Sequence, residues 1–129
     1  MQRLYLIRKL DSYRISKTIL ETVYRSLIES ILTFDMCTWY GNLGAKNRNR
    51  LSRIINIAGK IIGKEQEPLG CIYKTRAARK AKQIVSDPEH PLSAEFIKLP
   101  SGRRYRVPAA TKNVYKKSFI PNAITLLNS

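Results

Sequence analysis

Carboxylates are scarce in this chain: nine Asp and Glu stand against 24 Lys and Arg, a formal net charge of +15 at neutral pH. The three aspartates, Asp11, Asp35 and Asp87, are far apart and none is paired. A two-metal phosphoryl-transfer centre needs carboxylates that converge on adjacent ions, and no such set is available in any obvious way. Cysteine and histidine are rarer still: Cys37, Cys71 and His90. With a fourth ligand missing and no short-spaced pair, they do not make a zinc site. A Cys37 or Cys71 nucleophile paired with His90 has no better support. They read as two buried thiols and a turn histidine. The six glycines are scattered without the spacing of a phosphate-binding loop. Two cysteines make no disulfide framework, so a reducing intracellular compartment, nuclear or cytoplasmic, is the expected setting. No apolar run approaches the length of a membrane span. Arg8, Lys9 and Asp11 interrupt what would be the apolar stretch of a signal peptide. The residues thus predict no catalytic centre, no metal, no cofactor and no membrane partner.

What remains is apolar content and positive charge. At 43% apolar, 129 residues supply enough side chains for a real core. The charge is spread evenly, with 11 basic and 4 acidic residues in 1–60 and 13 and 5 in 61–129. A compact chain so charged repels itself unless a polyanion neutralises it.

Periodicity predicts helices over most of residues 2–85. Leu4, Ile7 and Leu10 share a face of the first, over 2–10, and nothing caps its start. The clearest helix runs from Ser16 to about Thr38, with Ile19/Leu20, Val23/Tyr24, Leu27/Ile28 and Ile31/Leu32 recurring every four residues. On an ideal helix these pairs spread over about 220°, which predicts a position in the middle of a bundle. Its polar strip carries Glu21, Arg25 and Glu29 at i,i+4 spacing. A second helix spans 46–62 with an apolar stripe about 120° wide, closed by Gly63. A third begins at Pro68 and runs to about Val85, where Asp87-Pro88 ends it.

From Asp87 the texture changes, with four prolines in about twenty residues. Residues 96–99 and 103–107 predict two short strands joined by a turn at Pro100-Ser101-Gly102, a hairpin over about 96–107. A last short helix, about 118–127, starts at Ser118 as N-cap. The expected architecture is mainly α: a helical bundle over 1–85, then a basic appendage over 86–129 made of a β-hairpin and a short C-terminal helix.

The basic residues carry the functional signal. Lys46, Arg50, Arg53 and Lys60 fall within an arc of about 80° opposite the apolar stripe of their helix. A row of cations on one face can track a phosphate backbone. Arg76, Arg79, Lys80 and Lys82 wrap most of the next helix. Arg103-Arg104-Tyr105-Arg106 is denser, with Tyr105 sharing a strand face with Val107 and so suited either to stacking on a base or to a small core. Lys116 and Lys117 add a second cluster. Trp39-Tyr40 reads as a core plug. The candidate nucleic-acid contacts are therefore Lys46, Arg50, Arg53, Lys60, Arg76, Arg79, Lys80, Arg103, Arg104, Arg106, Lys116 and Lys117.

Residues 2–10 (QRLYLIRKL), 23–30 (VYRSLIES) and 38–42 (TWYGN) resemble the thumb of a non-LTR (LINE-type) retrotransposon reverse transcriptase. Residues 87–92 (DPEHPL), 99–108 (LPSGRRYRVP) and 118–124 (SFIPNAI) resemble the C-terminal tail of the same polyproteins. The likeness is collinear and covers nearly the whole chain. In that family the palm holds the metal-binding aspartates in a Phe/Tyr-x-Asp-Asp motif, which this chain lacks. The resemblance therefore implies a thumb-like bundle and tail that hold RNA template and DNA primer, or the element's own RNA, and that do not polymerise. It also implies a missing palm as a partner. Two other readings stand beside it: a helical interaction or scaffolding module that self-associates through the 19–32 band, and a truncated relic of a retroelement without function.

Overall fold

A four-residue repeat does not match a helix of 3.6 residues per turn; it drifts by about 40° at each repeat. The row Leu20, Tyr24, Ile28 and Leu32 repeats in this way, yet all four side chains are buried. In the computed structural model, which describes residues 2–109 and 111–129, the reason is visible. Helix α2 (Lys17–Tyr24) runs into a π-helical turn at Arg25–Glu29 and then into the short α3 (Ser30–Leu32). At its end the Ser30 N–H reaches back to the Arg25 carbonyl. The wider turn takes up the drift and keeps one row facing the core. The expected 220° band is narrower as a result. Val23 and Leu27 are only half-buried, and Ile19 and Ile31 stay 54% and 50% exposed.

The rod also ends earlier than the expected Thr38. Thr33 leaves helical geometry (φ −103°, ψ 0°), its hydroxyl donating to the Glu29 carbonyl at 2.7 Å. Asp35 then takes a left-handed conformation (φ 49°), which a short polar side chain tolerates better than most. The chain restarts as α4 (Met36–Trp39) and a 3-10 turn at Tyr40–Asn42.

Two compact units follow from the packing: one comprises residues through Met36 with Gly44–Ile72, the other Cys37–Leu43 with Tyr73–Ser129. In the first, α1 (Gln2–Ser12) packs on α2 and on α5 (Ala45–Ile62). Its core holds Leu4 and Ile7, the α2–α3 row, and Ile55, Ala58 and Ile62. Gly63 closes α5 in the left-handed form (φ 80°), its N–H on the Gly59 carbonyl at 2.8 Å, as the sequence predicts. Lys17 ties Asp11 (2.8 Å) to the Ile61 carbonyl (3.1 Å), and Glu21 accepts from both Arg25 (2.9 Å) and Lys64 (3.2 Å).

Helix α6 (Leu69–Ser86) begins in the first unit and continues through the second, so the unit boundary runs through a helix rather than after it. Met1 and Ala110, at the edge of one expected domain and inside the other, lie outside the described residues. The second unit's core gathers Ala81, Ile84, Phe96, Ala123 and Ile124, with Tyr105, Phe119 and Leu127 against it. It includes α7 (Asn113–Lys116) and α8 (Phe119–Asn128). Ser118 sits at the N-cap of α8, but its hydroxyl donates backwards to the Tyr115 carbonyl (2.6 Å) instead of capping the helix.

The expected β-hairpin is not formed. Among the described residues there is one antiparallel bridge, Lys98 with Tyr105, and no strand. Two hydrogen bonds frame it, Leu99 N–H to Arg104 O (2.8 Å) and Arg106 N–H to Ile97 O (2.7 Å). The turn is closed by Gly102 N–H on Leu99 O, with Gly102 left-handed (φ 69°). The ladder cannot grow: Phe96 ends a 3-10 turn at Ser93–Glu95, and Pro108 has no N–H to offer. The outer edge of Tyr105 is covered by the Asn128 amide, which accepts from its N–H (2.8 Å) and donates to its carbonyl (3.0 Å).

One side chain in the first core is poorly matched to its surroundings. The Tyr24 hydroxyl is fully buried and has no hydrogen-bond partner among the described residues. Burial, and next the Glu29 carboxylate, push its pKa up to about 12, with Arg25 opposing. A phenol whose folded pKa lies above its unfolded one stabilises fully below pH 10 and loses that contribution as pH rises to about 12. Tyr24→Phe should therefore match or exceed the native protein at pH 7, since no partnered hydrogen bond is lost. In denaturant melts between pH 10 and 12 the native chain should lose about 2–3 kcal/mol relative to the variant. Parallel pH profiles for the two proteins would overturn this account of the buried phenol.

Candidate nucleic-acid interface

Helix α5 presents its cations because its other side is committed. Ile55, Ala58, Gly59 and Ile62 are buried, so the opposite arc, which carries Lys46, Arg50, Arg53 and Lys60, faces solvent, and all four residues are exposed. From Lys46 to Lys60 the row is about 21 Å long. No carboxylate occurs between Met36 and Lys64 in the sequence, so none from this stretch neutralises the row. The ion pairs of this unit use Lys17, Arg25 and Lys64; none of the four row residues takes part in one among the described residues. Beside the row lies a shallow crevice lined by Asn49, Ser52 and Asn56 together with Arg53 and Lys60. These neutral side chains were not singled out in the sequence, although their spacing alongside the cations is readable there. They add donors and acceptors suited to phosphate and sugar oxygens.

The remaining eight candidates belong to the second unit and are likewise exposed. Arg76, Arg79 and Lys80 lie on α6, which carries no acidic residue. Lys80 is partly engaged, its ammonium 5.4 Å from the centroid of the Phe119 ring, a cation–π distance. Arg104 and Arg106 contribute backbone groups to the bridge opposite Leu99 and Ile97. Strand alternation places these four residues on one side and Tyr105 on the other. Tyr105 is half-buried and meets Phe96 edge-on, with centroids 6.1 Å apart and planes at 88°. Its ring packs against the core of the second unit. Arg103 is exposed in the turn, and its N–H reaches the Ser101 hydroxyl at 3.4 Å. Lys116 ends α7, and the Lys117 carbonyl accepts from the Asn122 amide at 2.9 Å.

Tyr40 is buried against Tyr73, with centroids 5.0 Å apart, and Trp39 is half-buried beside it, in keeping with a core role. Cys37 is half-buried and Cys71 is exposed, which corrects the reading of two buried thiols. His90 sits in a turn, its Nδ1 accepting from the Leu92 N–H at 3.1 Å. No cluster of three or more potential metal ligands occurs among the described residues. No helix among the described residues is long and apolar enough to cross a membrane.

No protein-family model, curated protein or solved structure matches this chain.

Proposed function

We propose that the chain is a non-catalytic nucleic-acid grip that binds an RNA–DNA hybrid or RNA duplex through its phosphate backbone. The observation that carries this reading is the α5 row: four exposed cations on one arc, in no ion pair among the described residues, in a stretch that has no carboxylate. Such a row supplies backbone affinity that tracks charge spacing and not base sequence. Its flank of Asn49, Ser52 and Asn56 suits sugar and phosphate contacts. The exposed arginines of 103–106 and the lysines at 116–117 add cations in the second unit. The resemblance to the thumb and tail of a non-LTR retrotransposon reverse transcriptase supports the same assignment, with template and primer as the ligand and the absent palm as the catalytic partner.

Fluorescence anisotropy tests it with four labelled ligands: a short RNA–DNA hybrid, an RNA duplex, single-stranded RNA and heparin, each at several salt concentrations. The grip predicts tighter binding to a duplex form than to heparin, with log affinity falling linearly against log salt. Equal affinity for heparin and every nucleic acid would sink it.

A further inference from the structure

We propose that a cleft at the C-terminal end of α5 takes an unpaired nucleobase from the strand that lies along the cationic row. The proposal rests on the nucleic-acid grip and gives it a second kind of contact. Gly63 turns the chain back in its left-handed form, and residues 64–66 return over α5 at Gly59. The bare glycine permits that approach. A Cβ there would stand 3.2 Å from the Lys64 carbonyl oxygen and 3.6 Å from the Gln66 backbone nitrogen. Helix and returning segment enclose a cleft of about 400 Å³. Buried Ile55, Gly59 and Gln66 line it, with exposed Asn56, Lys60 and Glu65 beside them.

Two features select the ligand. The first is Gln66, whose side chain belongs to a residue only 7% exposed, an unusual depth for glutamine. Its amide nitrogen donates to the Lys64 carbonyl at 3.0 Å, which fixes the side chain in the wall. Its carbonyl oxygen accepts no hydrogen bond among the described residues. A glutamine amide has two donor and two acceptor positions, and polar atoms at such depth are normally matched. The unused acceptor therefore calls for a ligand that brings an N–H into the cleft. The second feature is continuity. Asn56 and Lys60 line both this cleft and the crevice beside the cationic row. Lys60 is the last cation of that row and takes part in no ion pair among the described residues, whereas Lys64 is held by Glu21 at 3.2 Å. A strand that follows the row and sets a phosphate on Lys60 thus brings its base to the cleft. A nucleobase carries ring N–H and acceptor groups on its edge, which the Asn56 and Gln66 amides complement, and a flat face that Ile55 and the bare Gly59 accommodate. In a duplex that edge is already used, so the fitting base is an unpaired one.

Anisotropy with the full chain tests this on an RNA–DNA hybrid that is blunt, or that ends in one unpaired nucleotide or one abasic nucleotide, at 3′ and 5′ ends in turn. The base-bearing overhang should bind about tenfold tighter than the abasic one, which carries the same charge. With 2-aminopurine as the overhang base, fluorescence should rise on binding, because the base leaves the duplex stack for a cleft lined by no aromatic ring among the described residues. Gln66→Leu, which keeps the bulk, should cut the preference for the base to less than about twofold. Should that buried change unfold the protein, Asn56→Ala, an exposed change on the same cleft, should lower the preference in the same direction. A nucleoside 5′-monophosphate should displace the overhang only in large excess; displacement at equal concentration would make a free nucleotide the ligand and overturn the assignment. Equal affinity for base and abasic overhangs, in a protein that still prefers the blunt hybrid to heparin, would overturn the cleft proposal and leave the grip standing. Binding of every form no tighter than heparin would remove both.

Discussion

Replacing Lys46, Arg50, Arg53 and Lys60 together with alanine should weaken binding to an RNA–DNA hybrid by about a thousandfold at 0.15 M salt. Each neutralised phosphate releases counterions and steepens the dependence of log affinity on log salt by about 0.9. Loss of four contacts should therefore make the slope shallower by between three and four, on the order of that relation. All four side chains are exposed, so the fold should survive the change. The same four substitutions should lower affinity for different sequences by the same factor, because backbone contacts carry no base information. The slope is the decisive readout. A slope unaltered by the substitutions would mean that the α5 face does not touch phosphate, whatever happens to affinity. If instead the slope falls by only one, the row engages at one end, and single variants would show whether Lys46 or Lys60 marks it.

How much of this was legible beforehand depends on whether the relevant force is local. Helix α5 was readable almost residue by residue, because a clean 3.6-residue stripe, a terminal glycine and a cationic arc are all features of one segment. The cationic face followed from the same wheel. The α2–α3 rod was half-readable. Its four-residue repeat is plain in the sequence, but whether the apolar band spreads around the helix or is wound straight depends on what the helix packs against. Asp35, just past the end of that rod, takes a left-handed conformation that the sequence alone permitted without requiring. The hairpin stopped at one bridge for local reasons, the 3-10 turn before Phe96 and the missing N–H of Pro108, and only its outer edge is set by a distant residue. Its turn formed as the Pro100-Ser101-Gly102 order predicts, yet the edge of Tyr105 is covered by Asn128, 23 residues away. Nothing in the neighbourhood of residue 105 signals that pairing. The unit boundary was hidden in the same way: composition changes after residue 86, whereas packing divides the chain within α6.

Gly41→Ala should be the most damaging single-methyl change in the chain. The glycine is buried in the 3-10 turn at Tyr40–Asn42, and a Cβ there would overlap the Lys117 carbonyl oxygen and stand 2.7 Å from the Asn122 amide nitrogen. A backbone oxygen cannot swing aside as a flexible side chain can. The Asn122 amide is doubly used, donating to that same carbonyl (2.9 Å) and to the Tyr73 hydroxyl (2.9 Å). Relieving the clash must therefore shift the 117–122 segment or lift the 40–42 turn. Lifting the turn would pull Tyr40 from its packing on Tyr73. Overpacking of this kind typically destabilises by 1–3 kcal/mol, and loss of a buried hydrogen bond adds to it. The expected result is about 3 kcal/mol of destabilisation, a fall in Tm on the order of 10 °C for a chain of this length. Hydrogen exchange distinguishes the proposed cause from general fragility. Amides of α8 and of residues 40–43 should lose protection together, while those of α1 and α2 in the other unit keep theirs. Gly44→Ala is the matched control: its Cβ would meet nothing within 4 Å, so Tm should scarcely move. Equal effects of the two substitutions would show that residues 37–43 do not pack against 117–122 as described, and would remove them from the second unit.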